Sequence, residues 1–327
     1  PYLKCSIGGI LKSEIIMFIS FTAGMSIGHL NRINLIADRI RVINPFTRLV
    51  LISDNNFAKN FSDRYDSVKV LHEDYNIKFE SNAGNISLDG EKLFDEIIQP
   101  ERPSTIVFDT FYNRNLLLKG ELSEIKKVLV LRKYRNHEFQ KFVDSMFYDC
   151  FDSVIVPHDA SEFGAIHSQD LLKKIFFAGP MSKNLNMSPE DVKKYFKVPI
   201  DSRLILVTAG GGGASDARVI LERSFEAFKK LKENNVFMLM VRGPFNCDLK
   251  IGSHQNMRIL DYTDYLYDVM NCADVVVSHG GYNTVNELNS LSKKSILIPS
   301  NRNNDDQKSR CQYYAGDRCL NFDDLNF

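Results

Sequence analysis

Short, unbroken apolar runs recur along the chain, and helix-like segments fill the intervals between them. In the first half the runs are Ile15–Phe21, Arg48–Ser53, Val68–Leu71, Thr105–Phe108, Lys127–Leu131 and Ser153–Val156. In the second half they are Leu204–Thr208, Val236–Val241, Met257–Leu260, Ala273–His279 and Ser295–Pro299. Strands that lack polar alternation are buried on both faces, so β-runs of this kind alternating with helices indicate a parallel sheet covered on both sides. Helical patterns fall over residues 30–43, 91–99, 215–232, 265–272 and 283–290. The chain is therefore α/β. After Lys174–Ala178, the segment "GPMSKNLNMSPEDVKKYFKVPIDSR" brings Gly-Pro, a polar stretch and the helix-start signature Ser188-Pro189-Glu190-Asp191. It divides the chain into a first domain at 15–180, a linker at 181–200 and a second domain at 201–327. Two domains suit 327 residues at roughly 100–200 residues each. Residues 1–14 have no periodicity that fits ahead of the first strand and read as an N-terminal extension of doubtful structure, with Met17 a natural first residue.

Composition excludes several classes of function. Lys plus Arg and Asp plus Glu balance at 41 each, and the basic residues are scattered, which leaves no global charge to hold nucleic acid. Ile15–Phe21 is only seven residues long, short for a signal sequence and far too short to cross a bilayer. Cysteines 5, 150, 247, 272, 311 and 319 show no metal-ligand spacing and read as ordinary thiols of a reducing compartment. The cytoplasm is the expected location. Sequons at Asn60, Asn85 and Asn186 would matter only in a secreted chain.

Three glycine-bearing turns follow strands, and each has a function to suggest. The first, "FTAGMSIGHLNR", carries Gly24, Gly28, His29 and Arg32. It is neither the dinucleotide G-x-G-x-x-G nor an ATP-binding P-loop. His29 falls where a helix begins at the carboxyl end of a strand, the place where open α/β sheets put ligands, and a histidine there can take a proton from a hydroxyl or water. The second turn holds four consecutive glycines, Gly210, Gly211, Gly212 and Gly213, whose backbone amides could close around a diphosphate. The third, "ADVVVSHGGYNTVNEL", passes from strand through Gly280 and Gly281 into a helix with Asn283 and Thr284 at its start. The unpaired N–H groups of that helix suit an anion. Glu287 lies one turn after Asn283 and faces the same side, where it would repel phosphate but could accept hydrogen bonds from a ribose.

Taken together, "GMSIGHLNR", "TAGGGGA", "VRGPF", "YTDYLYDVMNCADVVVSHGGYNTVNEL" and "NRNNDDQKSR" resemble the family 28 glycosyltransferases of the GT-B fold, the MurG-like group, and within it an uncharacterised bacterial branch. The resemblance covers about residues 15–315. It implies two Rossmann-like domains facing across a cleft, the first for the acceptor and the second for the nucleotide sugar. It further implies Gly210–Gly213 near the phosphates, Gly280, Gly281, Asn283 and Thr284 around the diphosphate, Glu287 on the ribose, and Asp306 and Gln307 on the donor sugar. His29 becomes the candidate base, oriented by Asp109, and Gly24, Gly28 and Arg32 form an acceptor or diphosphate loop. The implied reaction moves a sugar, N-acetylglucosamine or a related hexose, from a UDP-sugar to an acceptor hydroxyl with inversion. Neither a tightly bound cofactor nor a protein-ligated metal is expected, since no D-x-D motif is needed.

Departures from the family keep alternatives open. Gly-His-x-x-Arg also resembles a nucleotide-sugar hydrolase in which water is the acceptor, so a hydrolase or epimerase of the same fold is the second reading. A non-catalytic nucleotide-sugar-binding subunit is the third, because the sequence stops soon after Gln307 where family members continue into a further helix. The acceptor, whether glycan, lipid-linked or small molecule, is not specified. Peripheral attachment to the inner face of the membrane stays open through the basic and aromatic stretch Leu131–Phe142, and oligomeric state is unconstrained.

Overall fold

The computed structural model describes residues 14–22, 27–82, 84–132, 136–162, 166–213, 216–246, 248–300 and 306–320. The extension expected at 1–14 lies almost wholly outside them, and Gly24 lies outside them too. Among the described residues the first half forms nine strands: β1 (Ile15–Ser20), β2 (Arg48–Ser53), β3 (Ser67–Val70), β4 (Lys78–Asn82), β5 (Asn85–Ser87), β6 (Thr105–Asp109), β7 (Lys126–Val130), β8 (Ser153–Val156) and β9 (Ile175–Phe177). Seven of them make one sheet in the order β3-β2-β1-β6-β7-β8-β9. The second half adds β10 (Arg203–Thr208), β11 (Val236–Val241), β12 (Met257–Leu260), β13 (Val275–His279) and β14 (Ser295–Ile298), ordered β12-β11-β10-β13-β14. Every pairing in these two sheets is parallel. Strands β4 and β5, which have no counterpart among the apolar runs, form a separate antiparallel hairpin.

Burial on both faces explains the unbroken apolar runs. In β1, Met17 and Ile19 join the core with Phe108 and Phe142, whereas Phe18 points the other way, to Leu30 and Ile33 of the Gly28–Ile43 helix. In β10, Leu204 and Leu206 pack with Val276 and Leu297, and Val207 packs with Ile220, Leu221 and Phe225 of the Ala217–Lys229 helix. Each fully buried aliphatic side chain contributes about 1.5–3 kcal/mol relative to exposure, and a one-residue slip would send every one of them to the wrong layer.

Part of the segment expected as a linker packs into the second core. Ser188 caps the Pro189–Tyr195 helix by accepting from Asp191 N–H, and Val192, Phe196 and Val198 share a cluster with Leu204 and Leu206. Asp268, 1% exposed, accepts from the backbone N–H groups of Asn186 at 2.5 Å and Met187 at 2.9 Å, which ties the connection to the Leu266–Cys272 helix. The 131–142 stretch is also partly internal: Phe142 is fully buried and Phe139 packs against the same core, so those two aromatics are not available to a membrane. Among the described residues no helix is long and apolar enough to cross one.

Replacing Asp268 with Ala would leave two backbone donors without their carboxylate. We expect a loss of about 1–3 kcal/mol, measurable as a lower denaturant midpoint with an unchanged slope.

Candidate functional site

In both sheets the strand order reverses beside the first strand of the set, β1 or β10. Crossovers from β1 and β6 leave in opposite directions, as do those from β10 and β13, and the crevice at such a switch point is where open α/β sheets bind ligands. The His29 turn and Asp109 stand at the first crevice, since β1 and β6 are paired neighbours. The tetraglycine and the His-Gly-Gly turn stand at the second, where Thr208 is in register with Ser278. The two crevices face each other across a cleft lined from both halves.

On the first side, Asp109 is fully buried. His29 Nδ1 lies 2.8 Å from its Oδ2, and Arg32 grips it with Nε to Oδ1 at 2.8 Å and Nη2 to Oδ2 at 3.0 Å. Nη2 also donates to Thr110 Oγ1 at 3.1 Å. His29 and Arg32 reach one carboxylate because they sit three apart on the Gly28–Ile43 helix. Burial pushes the Asp109 carboxyl up, but the Arg32 charge, then His29 and their hydrogen bonds, outweigh it and hold the group below its ordinary range. Arg32 Nη2 is also 3.1 Å from Nδ1, yet one nitrogen cannot accept there and donate to Asp109. An ionised carboxylate at the shorter distance decides for Nδ1–H donating to Asp109. Nε2 is then the nitrogen that can accept a proton. Burial lowers the pKa of His29, Arg32 and Arg132 add to the effect, and Asp109 opposes it.

On the second side, the glycines divide into those that pack and those that open onto the cleft. A Cβ on Gly212 would come within 2.6 Å of Arg242 O, and one on Gly280 within 2.1 Å of Cys311 Sγ. These two positions allow close approach by the 242–246 turn and by the Gln307–Ala315 helix. Gly210, at φ 63°, has no neighbour that a Cβ would meet. The Tyr282–Ser290 helix starts at Gly281 without a side-chain cap, so its first N–H groups are left for a guest. Gly281, Asn283, Thr284 and Glu287 line the cleft, and Asn283 Nδ2 donates across it to Gly28 O at 2.8 Å. Burial raises the pKa of Glu287, with Lys183 opposing.

The expected donor-sugar pair separates. Gln307 is buried and lines the cleft, its Oε1 accepting from Ser300 N–H at 3.0 Å. Asp306 instead caps its own helix, accepting from Ser309 N–H at 3.1 Å and Ser309 Oγ at 2.8 Å. Arg32, expected in a diphosphate loop, lines the cleft with its Nε and Nη2 engaged by Asp109 and Thr110. Sequence reasoning passed over Arg132, Lys183, Tyr262 and His279, which also line the cleft. His279 Nδ1 donates to Ile298 O at 3.2 Å, and its Nε2 is 3.3 Å from Asp216 Oδ1. Its place in the His-Gly-Gly turn was the available signal, as were the start of the "YTDYLYDV" stretch for Tyr262 and the 131–142 stretch for Arg132; nothing in the local pattern marks Lys183.

Residues 204–316 match the glycosyltransferase family 28 C-terminal domain. The second half of the chain is thus similar to that family's C-terminal domain. The undecaprenol-pyrophosphoryl N-acetylglucosamine transferase of Acetivibrio thermocellus is 32% identical over 139 residues, 40% of this chain and 37% of the relative. An uncharacterised glycosyltransferase of Methanopyrus kandleri is 25% identical over 156 residues, 46% of this chain and 42% of its own length. The matches thus span about two-fifths of these relatives. Solved structures share the GT-B fold: a glycotransferase of kitacinnamycin (TM-score 0.66, 13% identity, 95% of this chain and 87% of that one) and MurG of Acinetobacter baumannii (TM-score 0.54, 12% identity, 95% and 86%).

The geometry of this cleft leads to two predictions. Gly280→Ala should destabilise by about 1–3 kcal/mol through overpacking, and Cys311→Ala in the same chain should recover much of that loss, as a double-mutant cycle would show. The buried ionisable groups set opposite pH slopes. A lowered pKa at His29, and likewise at His158 through its own burial, gives stability that is complete above the ordinary imidazole value of 6.5 and lost as pH falls through the lowered values. The raised pKa of Glu287 gives stability present below the ordinary 4.5 and lost as pH rises through the raised value. Glu287→Gln should therefore raise the melting temperature of the ligand-free protein at neutral pH while leaving the acid-side loss unchanged.

Proposed function

We propose that the protein transfers a hexose, N-acetylglucosamine or a close relative, from a UDP-sugar to an acceptor hydroxyl with inversion. The observation that carries this reading is the Asp109-held His29 imidazole facing into the same cleft as the uncapped helix start at Gly281. One half offers a proton acceptor and the other an anion site, which is what direct displacement of a nucleoside diphosphate by a hydroxyl requires. In this reading His29 Nε2 takes the hydroxyl proton as that oxygen attacks the anomeric carbon, and the bond from that carbon to the diphosphate oxygen breaks. Asp109 fixes the tautomer and steadies the imidazolium, with Arg32 holding Asp109 in turn.

Charge developing on the leaving diphosphate is met by the amides at Gly281–Thr284 and by the tetraglycine, open at Gly210. Helix ends and backbone donors stabilise such charge without reorganising. Glu287 accepts from the ribose hydroxyls, and Gln307 contacts the sugar. Gly28 borders the acceptor side. The relatives' names support a UDP-N-acetylglucosamine donor and a lipid-linked acceptor, which would place the enzyme in the cytoplasm at the inner membrane face. No observation favours the hydrolase, epimerase or non-catalytic alternatives.

A thermal-shift panel of UDP, GDP, dTDP, ADP and CMP tests the donor site directly. At about 100 times the dissociation constant a ligand adds roughly 2.7 kcal/mol. UDP is expected to raise the melting temperature most, and Glu287→Ala should lose most of that rise. No response to any nucleotide, or an unaltered response in the variant, would sink the assignment.

A further inference from the structure

Directly after β6 the backbone makes a turn that a β-branched residue should avoid. Phe111 N–H donates to Asp109 O at 2.7 Å, closing a three-residue loop, and Thr110 at its centre has φ 67° and is fully buried. A tight turn with a positive-φ central residue is rare and strained, and for threonine such a φ is an outlier that persists only where the surroundings impose it. Here they do. Thr110 N–H donates to Val130 O at 2.9 Å, and Thr110 Oγ1 accepts from Arg32.

The turn has two outputs. Asp109 meets the edge of the His29 imidazole, and the Phe111 ring meets its side, with centroids 5.3 Å apart and planes 35° from parallel. Phe111 is braced from behind by Phe79 of the β4–β5 hairpin, edge-on at 5.2 Å. The hairpin is stitched to the same turn: Tyr112 N–H donates to Gly84 O at 3.0 Å, Ile86 N–H to Tyr112 O at 2.8 Å, and Asn113 Nδ2 to Ile86 O at 2.9 Å. A hairpin that adds nothing to the main sheet is thus fastened to the residues that surround the candidate base.

We infer that the Asp109–Thr110–Phe111 turn is a positioning device for His29, with Thr110 aiming the carboxylate at one edge of the imidazole and Phe111 at its side, and with Phe79 holding Phe111 in place. This rests on the reading of His29 as the base. Phe111 and Phe79 are positioning residues: they set the orientation of the imidazole and keep water from it. The device also answers a chemical difficulty. A carboxylate on Nδ1 alone favours the imidazolium, which cannot accept a proton; the neighbouring Arg32 and the apolar cover of Phe111 work against that. The charged groups facing the ring are Asp109, Arg32 and Arg132, and none of them is altered by changing Phe111 or Phe79.

The test follows the histidine ring signals of the full chain by NMR through pH, with His29→Gln identifying the His29 resonance. In the wild type His29 should titrate below the ordinary imidazole range. Phe111→Ala should move that titration upward, Phe79→Ala should move it in the same direction by less, and Phe111→Leu, which keeps apolar cover without a flat ring, should fall between wild type and Phe111→Ala. An unmoved titration in folded Phe111→Ala would overturn the inference. If Phe111→Ala does not fold, Phe111→Leu decides, and a wild-type titration there overturns it equally. UDP-induced melting shifts in the same samples keep the two questions apart, because a wild type that ignores UDP removes the transferase reading while the titration still judges the turn.

Discussion

Parallel pairing is the constraint on which everything else depends. A parallel strand must return through a crossover, so each sheet needs helices on both faces, and the direction of crossover must reverse somewhere in the strand order. In this chain the reversal comes between β1 and β6 and again between β10 and β13. At those points the strand ends are not roofed by a connection, and the polar residues that follow them can face a ligand. His29 and Asp109 are 80 residues apart in sequence and touch because their strands are neighbours. The tetraglycine and the His-Gly-Gly turn meet by the same rule in the second sheet.

Electrostatics then decides what each crevice can do. A buried carboxylate is costly unless paired, and Asp109 is matched on both oxygens by Arg32 while still holding His29. Arg32 therefore limits how far Asp109 can favour imidazolium, and desolvation shifts the balance further toward a neutral ring. The opposite wall has no such internal match for its helix start: the first turn of the Tyr282–Ser290 helix carries no acidic residue and no side-chain cap. One side of the cleft is thus neutralised internally, and the other retains a partial positive charge for an incoming anion.

Most of the main-sheet architecture was legible because the apolar runs are unambiguous. Arg48–Ser53, Ser153–Val156, Val236–Val241 and Met257–Leu260 match the strands to the residue, and the Ser188 cap signature marks a real helix start. The β4–β5 hairpin was not legible, since "KFESNAGNIS" contains no apolar run, and its backbone is fastened to the turn after β6. Site residues divide in the same way. His29, Gly281 and Glu287 announce themselves by position relative to a strand end, whereas Lys183 reaches the cleft only through tertiary packing. The family resemblance implies a sugar contact for Asp306; an Asp before a helix with Ser three residues on is also an N-cap, and its carboxylate accepts from Ser309.

The glycines show why a motif and its function need separate arguments. Gly212 and Gly280 leave no room for a Cβ because protein atoms already occupy the space; their presence says that two segments pack closely, and any ligand is incidental to it. Gly210 and Gly281 have no such neighbour. Each turn therefore combines glycines that bring a supporting segment close with glycines that leave backbone N–H groups uncovered. Support comes from the Gln307–Ala315 helix: Cys311 fills the space at Gly280, Arg310 Nη1 donates to Gly280 O at 3.0 Å, and Gln307 holds Ser300 at the cleft edge. A turn braced in this way keeps its amides aimed before a ligand arrives, and preorganised donors are what make backbone stabilisation of a departing anion effective.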